Sequence, residues 1–181
     1  MEIEKTFRVA ASQTEVWEFV TSAENVATCM PGVEEVIVQG PGKYKGVMKI
    51  KVGPIKTSVN ADVVELEQRV GEYAEYSIKG EEGGRASRLS SDTELFLSAV
   101  SESETEVRFV SRVIIVGRLG KFAGGVMTKM ADSICEQFIV AFRAQLEPQP
   151  ELPAVEPRKG LWARFGNFLR RLFGGASQVN A

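Results

Sequence analysis

The carboxylates best spaced for acid–base chemistry in this chain are Asp92 and Glu94, two apart on one face, and Glu81-Glu82 beside Gly83-Gly84. Two acids in a pocket can divide the roles of proton donor and acceptor. On strand edges and hairpin tips, where these pairs read, such acids are ordinarily solvated. The chain contains no histidine. That removes Ser-His-Asp and Cys-His nucleophile systems, imidazole bases and most zinc sites in one step. Cys29 and Cys135 are too few for a disulfide framework and have no metal-ligand spacing, so both are expected to be reduced and buried. Gly83-Gly84 and Gly124-Gly125 lack the strand–turn–helix context of a phosphate loop. No catalytic residue and no metal ligand is assigned, and the expectation is a protein without enzymatic activity.

The elements that would position any site begin with Glu2 to Val9, which alternates as a strand does. Ser12 with Glu15 three residues on has the form of a capping box, opening a helix through Trp17 and Val20. A short helix over Glu24 to Thr28 stops at Met30-Pro31-Gly32. Strands follow at Val33–Val38, Tyr44–Val52, Lys56–Leu66, Glu72–Lys79, Arg88–Ala99 and Glu106–Val116. In the second of these, Tyr44, Met48, Ile50 and Val52 alternate with Lys43, Lys45, Lys49 and Lys51, which puts a lysine row in water. The row suits a protein partner or keeps an open strand edge from pairing. Nucleic acid is not expected, since residues 1–147 are net acidic and lack interleaved exposed aromatics. From about Arg118 to Leu146 the period becomes helical, with Leu119, Phe122, Val126, Met130, Ile134 and Phe138 as its stripe. The fold class is α+β, a curved antiparallel sheet gripping a long C-terminal helix.

A sheet curled round one helix often leaves an elongated apolar tunnel. The inward residues Met48, Ile50, Tyr76, Phe109, Phe122, Val126 and Met130, with Cys29, Met30 and Pro31 near the mouth, are candidates to line it. The same residues serve equally as ordinary core. Gly120 and Gly124-Gly125 at the helix start are read as a deformable end beside the tunnel, as a close packing contact, or as a later start of the helix.

The segment Arg158 to Phe173, RKGLWARFGNFLRRLF, carries five basic residues and no acid. On a helix, Leu161, Trp162, Phe165, Phe168, Leu169, Leu172 and Phe173 share an arc of about 140°. Lys159, Arg164, Arg170 and Arg171 flank or oppose it. This is the pattern of a helix lying in a membrane interface. It is too short and too charged to span a bilayer. A groove on a partner, or the chain's own body, are the other possible seats. Glu147 to Pro157 holds four of the seven prolines and reads as a semi-stiff tether. Charge segregates across it: the whole chain is −2, with +3 from Pro148 onward and −5 over residues 1–147. A cationic helix on an acidic body suits anionic lipid. MEIEKTFRVA has no apolar run of signal-peptide length, so a cytoplasmic protein peripheral on the inner face of the membrane is expected. The organisation expected is a body over 1–146, a linker over 147–157, the amphipathic helix over 158–173 and a disordered end over 174–181.

Several motifs occur in one order: the Ser12–Trp17 helix, Cys29-Met30-Pro31-Gly32, Gly46-Val47-Met48-Lys49-Ile50-Lys51-Val52-Gly53-Pro54, Thr105-Glu106-Val107 and the Gly117–Gly125 helix start. Over about residues 2–146 this resembles the CoxG family of carbon monoxide dehydrogenase subunits, of the START-like helix-grip (SRPBCC) superfamily. The resemblance implies a START-like ligand-binding body with an apolar cavity. It also implies association with a molybdenum hydroxylase of the carbon monoxide dehydrogenase type, and recruitment of that enzyme to the membrane. A respiratory quinone, menaquinone or ubiquinone, is consistent with that pairing as a non-covalent ligand carrying electrons. Three functions are therefore in view: a quinone carrier, a membrane recruitment or assembly factor whose cavity is incidental, and a START-like cyclase or hydrolase.

Overall fold

The computed structural model describes residues 1–53, 55–122 and 125–147. The tether and amphipathic helix expected beyond Glu147 lie outside the described residues. Seven strands form one antiparallel sheet in the order β1-β7-β6-β5-β4-β3-β2. They are β1 Glu2–Val9, β2 Val33–Gly40, β3 Lys43–Val52, β4 Ile55–Arg69, β5 Tyr73–Glu82, β6 Ser87–Ser101 and β7 Glu104–Gly117. Helices α1 (Gln13–Val20) and α2 (Ala23–Cys29) connect β1 to β2, and α3 (Gly125–Leu146) follows the sheet. The architecture is the α+β sheet-and-helix arrangement anticipated from the pattern.

Local chemistry accounts for the element boundaries. The Ser12 hydroxyl accepts from the Glu15 backbone N–H, and the Glu15 carboxylate accepts from the Ser12 N–H at 2.8 Å, which completes the capping box of α1. After α2 the Pro31-Gly32 turn brings the chain back to β3. Gly32 has φ +87°, and a Cβ there would lie 2.4 Å from the Lys49 carbonyl oxygen, so only glycine permits this approach. The Lys49 N–H closes the turn by donating to the Gly32 carbonyl at 2.7 Å. Thr105, fully buried at the start of β7, donates its hydroxyl to the Ala11 carbonyl at 2.9 Å.

Three expectations are corrected. First, α3 does not run from Arg118: a 3-10 turn at Leu119–Phe122 precedes it, and the α-helix begins at Gly125. Gly120 is packed against β7, since a Cβ there would lie 2.8 Å from the Ile115 carbonyl oxygen. Second, the lysine row does not guard a sheet edge. β3 lies inside β2, and Lys45 and Lys49 pair with Asp62 (3.7 Å) and Glu34 (2.6 Å) on the solvent face. Third, Glu81-Glu82 is not a loop pair but the end of β5, with Glu82 buried.

The core forms two clusters on the helix-facing side of the sheet. One joins Phe7, Val9, Val16, Trp17, Leu97 and Val107 to Phe142 of α3. The other joins Val52 and Leu119 to Met127. Val107 of the first and Ile115 beside the second lie on β7 about 26 Å apart at strand rise. Phe142 has no exposed surface and meets Phe7 and Phe19 edge-on at 5.9 and 5.2 Å, with Phe138 stacked at 5.5 Å. The Lys5 ammonium on β1 adds an ion pair to Asp132 of α3 at 2.8 Å. Phe142→Ala is expected to destabilise the body by about 3–5 kcal/mol. Urea unfolding checks this: a loss below about 1 kcal/mol would show that Phe142 does not anchor α3.

Candidate functional site

Among the described residues, two apolar cavities lie on the helix-facing side of the sheet. The first, about 330 Å³, is enclosed by the end of α1, by α2 and by β2 to β6, with Val26, Met30, Val36, Met48 and Tyr76 among its walls. The second, about 260 Å³, lies between the sheet and the first half of α3, walled by Ile3, Ile50, Leu119, Met127, Met130 and Ile134. Alternation builds both. In β3 the even-numbered residues face inward, in β4 the odd-numbered ones, and in β5 the even-numbered ones again, following the register Met48↔Val59 and Val63↔Ile78.

Of the residues singled out in the sequence, the structure brings Met30, Met48 and Tyr76 to the first cavity and Met48, Ile50 and Met130 to the second. Cys29 is buried in the Phe142 cluster, and Phe109 is half-buried against it. Phe122 packs on the Val52–Met127 cluster. Pro31 is half-buried in the turn after α2. None of these four is a wall of either cavity. Val126 is 49% exposed. The 3-10 turn breaks the phase that would have linked Phe122 to Val126, and the inward face of α3 starts instead at Met127. The membrane-facing residues assigned between Lys159 and Phe173 lie outside the described residues.

Apart from Lys45, which lies at its wall and pairs with Asp62, the polar side chains of the first cavity carry hydroxyls. Burial, with help from the nearby Glu65 and Tyr44, pushes Tyr76 up to about 12, so its hydroxyl keeps its proton at neutral pH. It has no hydrogen-bond partner among the described residues. Burial raises Tyr44 as well. Thr93 joins Ser111 and Ser91 in a small hydroxyl cluster, with Ser111 at 2.9 Å from Thr93 and 2.7 Å from Ser91. Asp92 and Glu94 are elsewhere. Asp92 is exposed, and Glu94 faces away from the helices to accept from Tyr73 and pair with Arg112.

Sequence reasoning singled out Glu82 but expected a solvated acid, not a buried one. Its side chain is 1% exposed at the edge of the second cavity, where it accepts from the Ser87 hydroxyl at 2.6 Å and pairs with Arg118. Ser87 in turn accepts from the Leu119 N–H at 2.9 Å, so the carboxylate ties β5, β6 and the turn before α3 together. A charged residue next to glycines reads as a loop, and only its pairing with Val59 of β4 and the approach of Ser87 and Arg118 show that it is covered. The Arg118 hydrogen bond first, then Ser87, holds the Glu82 carboxyl below the usual carboxylate range. Its stabilising contribution is therefore present above the unfolded-state value of about 4.3 and is lost as pH falls through the folded value. Glu82→Gln is expected to cost about 2 kcal/mol at pH 7 and to flatten the fall in stability below about pH 5. Urea midpoints measured across that range check it: an unchanged profile would mean that the carboxylate is not ionised in the fold.

No curated protein matches this chain. Many solved structures resemble it, at sequence identities where only the fold can be compared. A conserved protein from Geobacillus kaustophilus is 15% identical, with TM-score 0.72, over 80% of this chain and 94% of that one. A START superfamily protein from Mycobacterium smegmatis is 14% identical, with TM-score 0.64, over 81% and 97%. The Zhui aromatase/cyclase from Streptomyces sp. R1128 is 17% identical, with TM-score 0.53, over 98% and 99%. The fold is thus START-like. The family model for CoxG, a carbon monoxide dehydrogenase subunit, matches residues 6–147, well over half of the sequence. The chain belongs to the CoxG family of carbon monoxide dehydrogenase subunits.

Proposed function

We propose that this protein is a non-enzymatic carrier that holds an apolar ligand between its sheet and helices and serves a molybdenum hydroxylase of the carbon monoxide dehydrogenase type at the membrane. The observation that carries the reading is the pair of apolar cavities on the concave face, in which the hydroxyl of Tyr76 is an unused donor. The family membership supplies the partner class. A respiratory quinone, menaquinone or ubiquinone, fits the chemistry of such a site: a flat carbonyl-bearing ring, an apolar tail and no formal charge to desolvate. The membrane contact is assigned to the amphipathic segment from Lys159 to Phe173, with anionic inner-leaflet lipid as its surface. Among the described residues no helix is long and apolar enough to cross a membrane.

Native mass spectrometry with solvent extraction of the full chain tests the carrier. A quinone or other polyisoprenoid at one per chain is the expected outcome. An empty protein that still binds both lipid and dehydrogenase would leave recruitment without carriage. Turnover of an aromatic polyketide would make the protein an enzyme of the cyclase kind. For the membrane contact, Phe165→Glu with Leu169→Glu is expected to reduce co-sedimentation with phosphatidylglycerol-containing liposomes at least tenfold, since two large apolar anchors are lost. Unchanged co-sedimentation would refute the assignment of that segment.

A further inference from the structure

We propose that the two cavities are lobes of a single site, shaped for a neutral amphipath with one hydrogen-bond-accepting head and one flexible apolar tail. This rests on the ligand-binding reading above. Met48, Ala61 and Ile78 are walls of both cavities, so the two spaces meet at these residues. The register explains why they meet there. Gly46 of β3 pairs with Ala61 of β4, and Ala61 with Gly80 of β5. Across three adjacent strands no inward side chain in that row exceeds a methyl group. The rows on either side are filled: Met48 with Val59, and Tyr44 with Val63 and Ile78. The sheet floor is therefore lowest between the lobes. At Gly80 a Cβ would already lie 3.0 Å from a Val59 methyl, so the low floor is packed to its limit from the side. Beside this saddle, in the next inward row, Met48 borders both lobes; it is an unbranched side chain that can change rotamer without backbone movement.

The lobes differ in polarity, and the difference orients the ligand. The first offers the uncommitted Tyr76 hydroxyl, with Tyr44 nearby. In the second, the buried charge is Glu82, and its oxygens are engaged by Ser87 and Arg118. The head belongs in the first lobe, and the tail crosses the Ala61 saddle beside Met48 into the second. A carboxylate head is disfavoured. Lys45, the basic side chain at the first lobe, is half-exposed and pairs with Asp62, so a buried fatty-acid anion would have no counter-charge.

Titration of the full chain with benzoquinones bearing no tail, one isoprene unit and two isoprene units, with laurate alongside, tests this. In the unmodified protein, affinity is expected to rise about tenfold or more with each isoprene unit, and laurate to bind more weakly than either tailed quinone. Ala61→Phe fills the saddle and is expected to bring the ratio of tailed to tailless affinity close to one. Met48→Ala, which only removes volume, is expected to raise that ratio and covers the case of a misfolded Ala61→Phe. Tyr76→Phe is expected to weaken all three quinones about fivefold while keeping the ratio. An unchanged ratio in both saddle variants would overturn the two-lobed site. Laurate binding as tight as the tailed quinones would overturn the neutral head. Failure of the unmodified protein to bind any of the four probes would overturn the ligand-binding reading itself.

Discussion

A mismatch of widths governs this structure. Seven strands at about 4.8 Å spacing make a sheet about 29 Å across, whereas a helix with its side chains covers about 10–12 Å. At 22 residues α3 is about 33 Å long, enough to run the length of the concave face but not to fill its width. α1 and α2 occupy part of the remainder at one end. What is left is apolar space in the middle, held open because the helix is fixed near both ends, by Phe142 in one cluster and by Met127 in the other.

That arrangement divides the labour between packing and electrostatics. The ion pairs of the solvent face, such as Lys49 with Glu34, are exposed and add little to stability. Glu82 is different. Covered by its surroundings and hydrogen-bonded to Ser87 and Arg118, it joins two strands to the turn that leads into α3. The mechanical closure of the second cavity thus depends on one satisfied buried charge, while its walls remain hydrocarbon. Such a design separates the residues that hold the site shut from those that a ligand would touch.

What could be read in the sequence was local. Ser12 and Glu15 satisfy each other within one turn of helix, and the alternation of Tyr44, Met48, Ile50 and Val52 against lysines needs no knowledge of neighbours. The order of elements and the inward set of β3 follow from such short-range patterns. The phase of α3 did not, because it is set by the 3-10 turn, which is held by hydrogen bonds from the Arg118 and Leu119 N–H groups to Ala86 and Ser87 and admits only glycine at position 120 beside Ile115. Nor did the burial of Glu82 or the alignment of Gly46, Ala61 and Gly80. Each depends on which strand lies beside which, and small residues in three separate strands carry no periodic signal of their own. Met48, Ile50, Tyr76 and Met130 face cavities where alternation or the helical stripe put them, and Met30 does so as one of the residues expected near the mouth, whereas Cys29 and Phe109 went to the core.

The uncommitted hydroxyl of Tyr76 has a thermodynamic consequence. For an apolar molecule, a protein cavity and the interior of a bilayer are nearly equivalent solvents, so burial of its tail favours neither strongly. What distinguishes them is that lipid acyl chains offer no hydrogen-bond donor, whereas Tyr76 does. One hydrogen bond contributes on the order of 1 kcal/mol, which sets the partition between the two phases within a small factor of even. For a carrier of the kind proposed, uptake from a membrane and release to it would then be nearly balanced in free energy. Directionality would then come from whatever consumes the cargo, not from the strength of the grip.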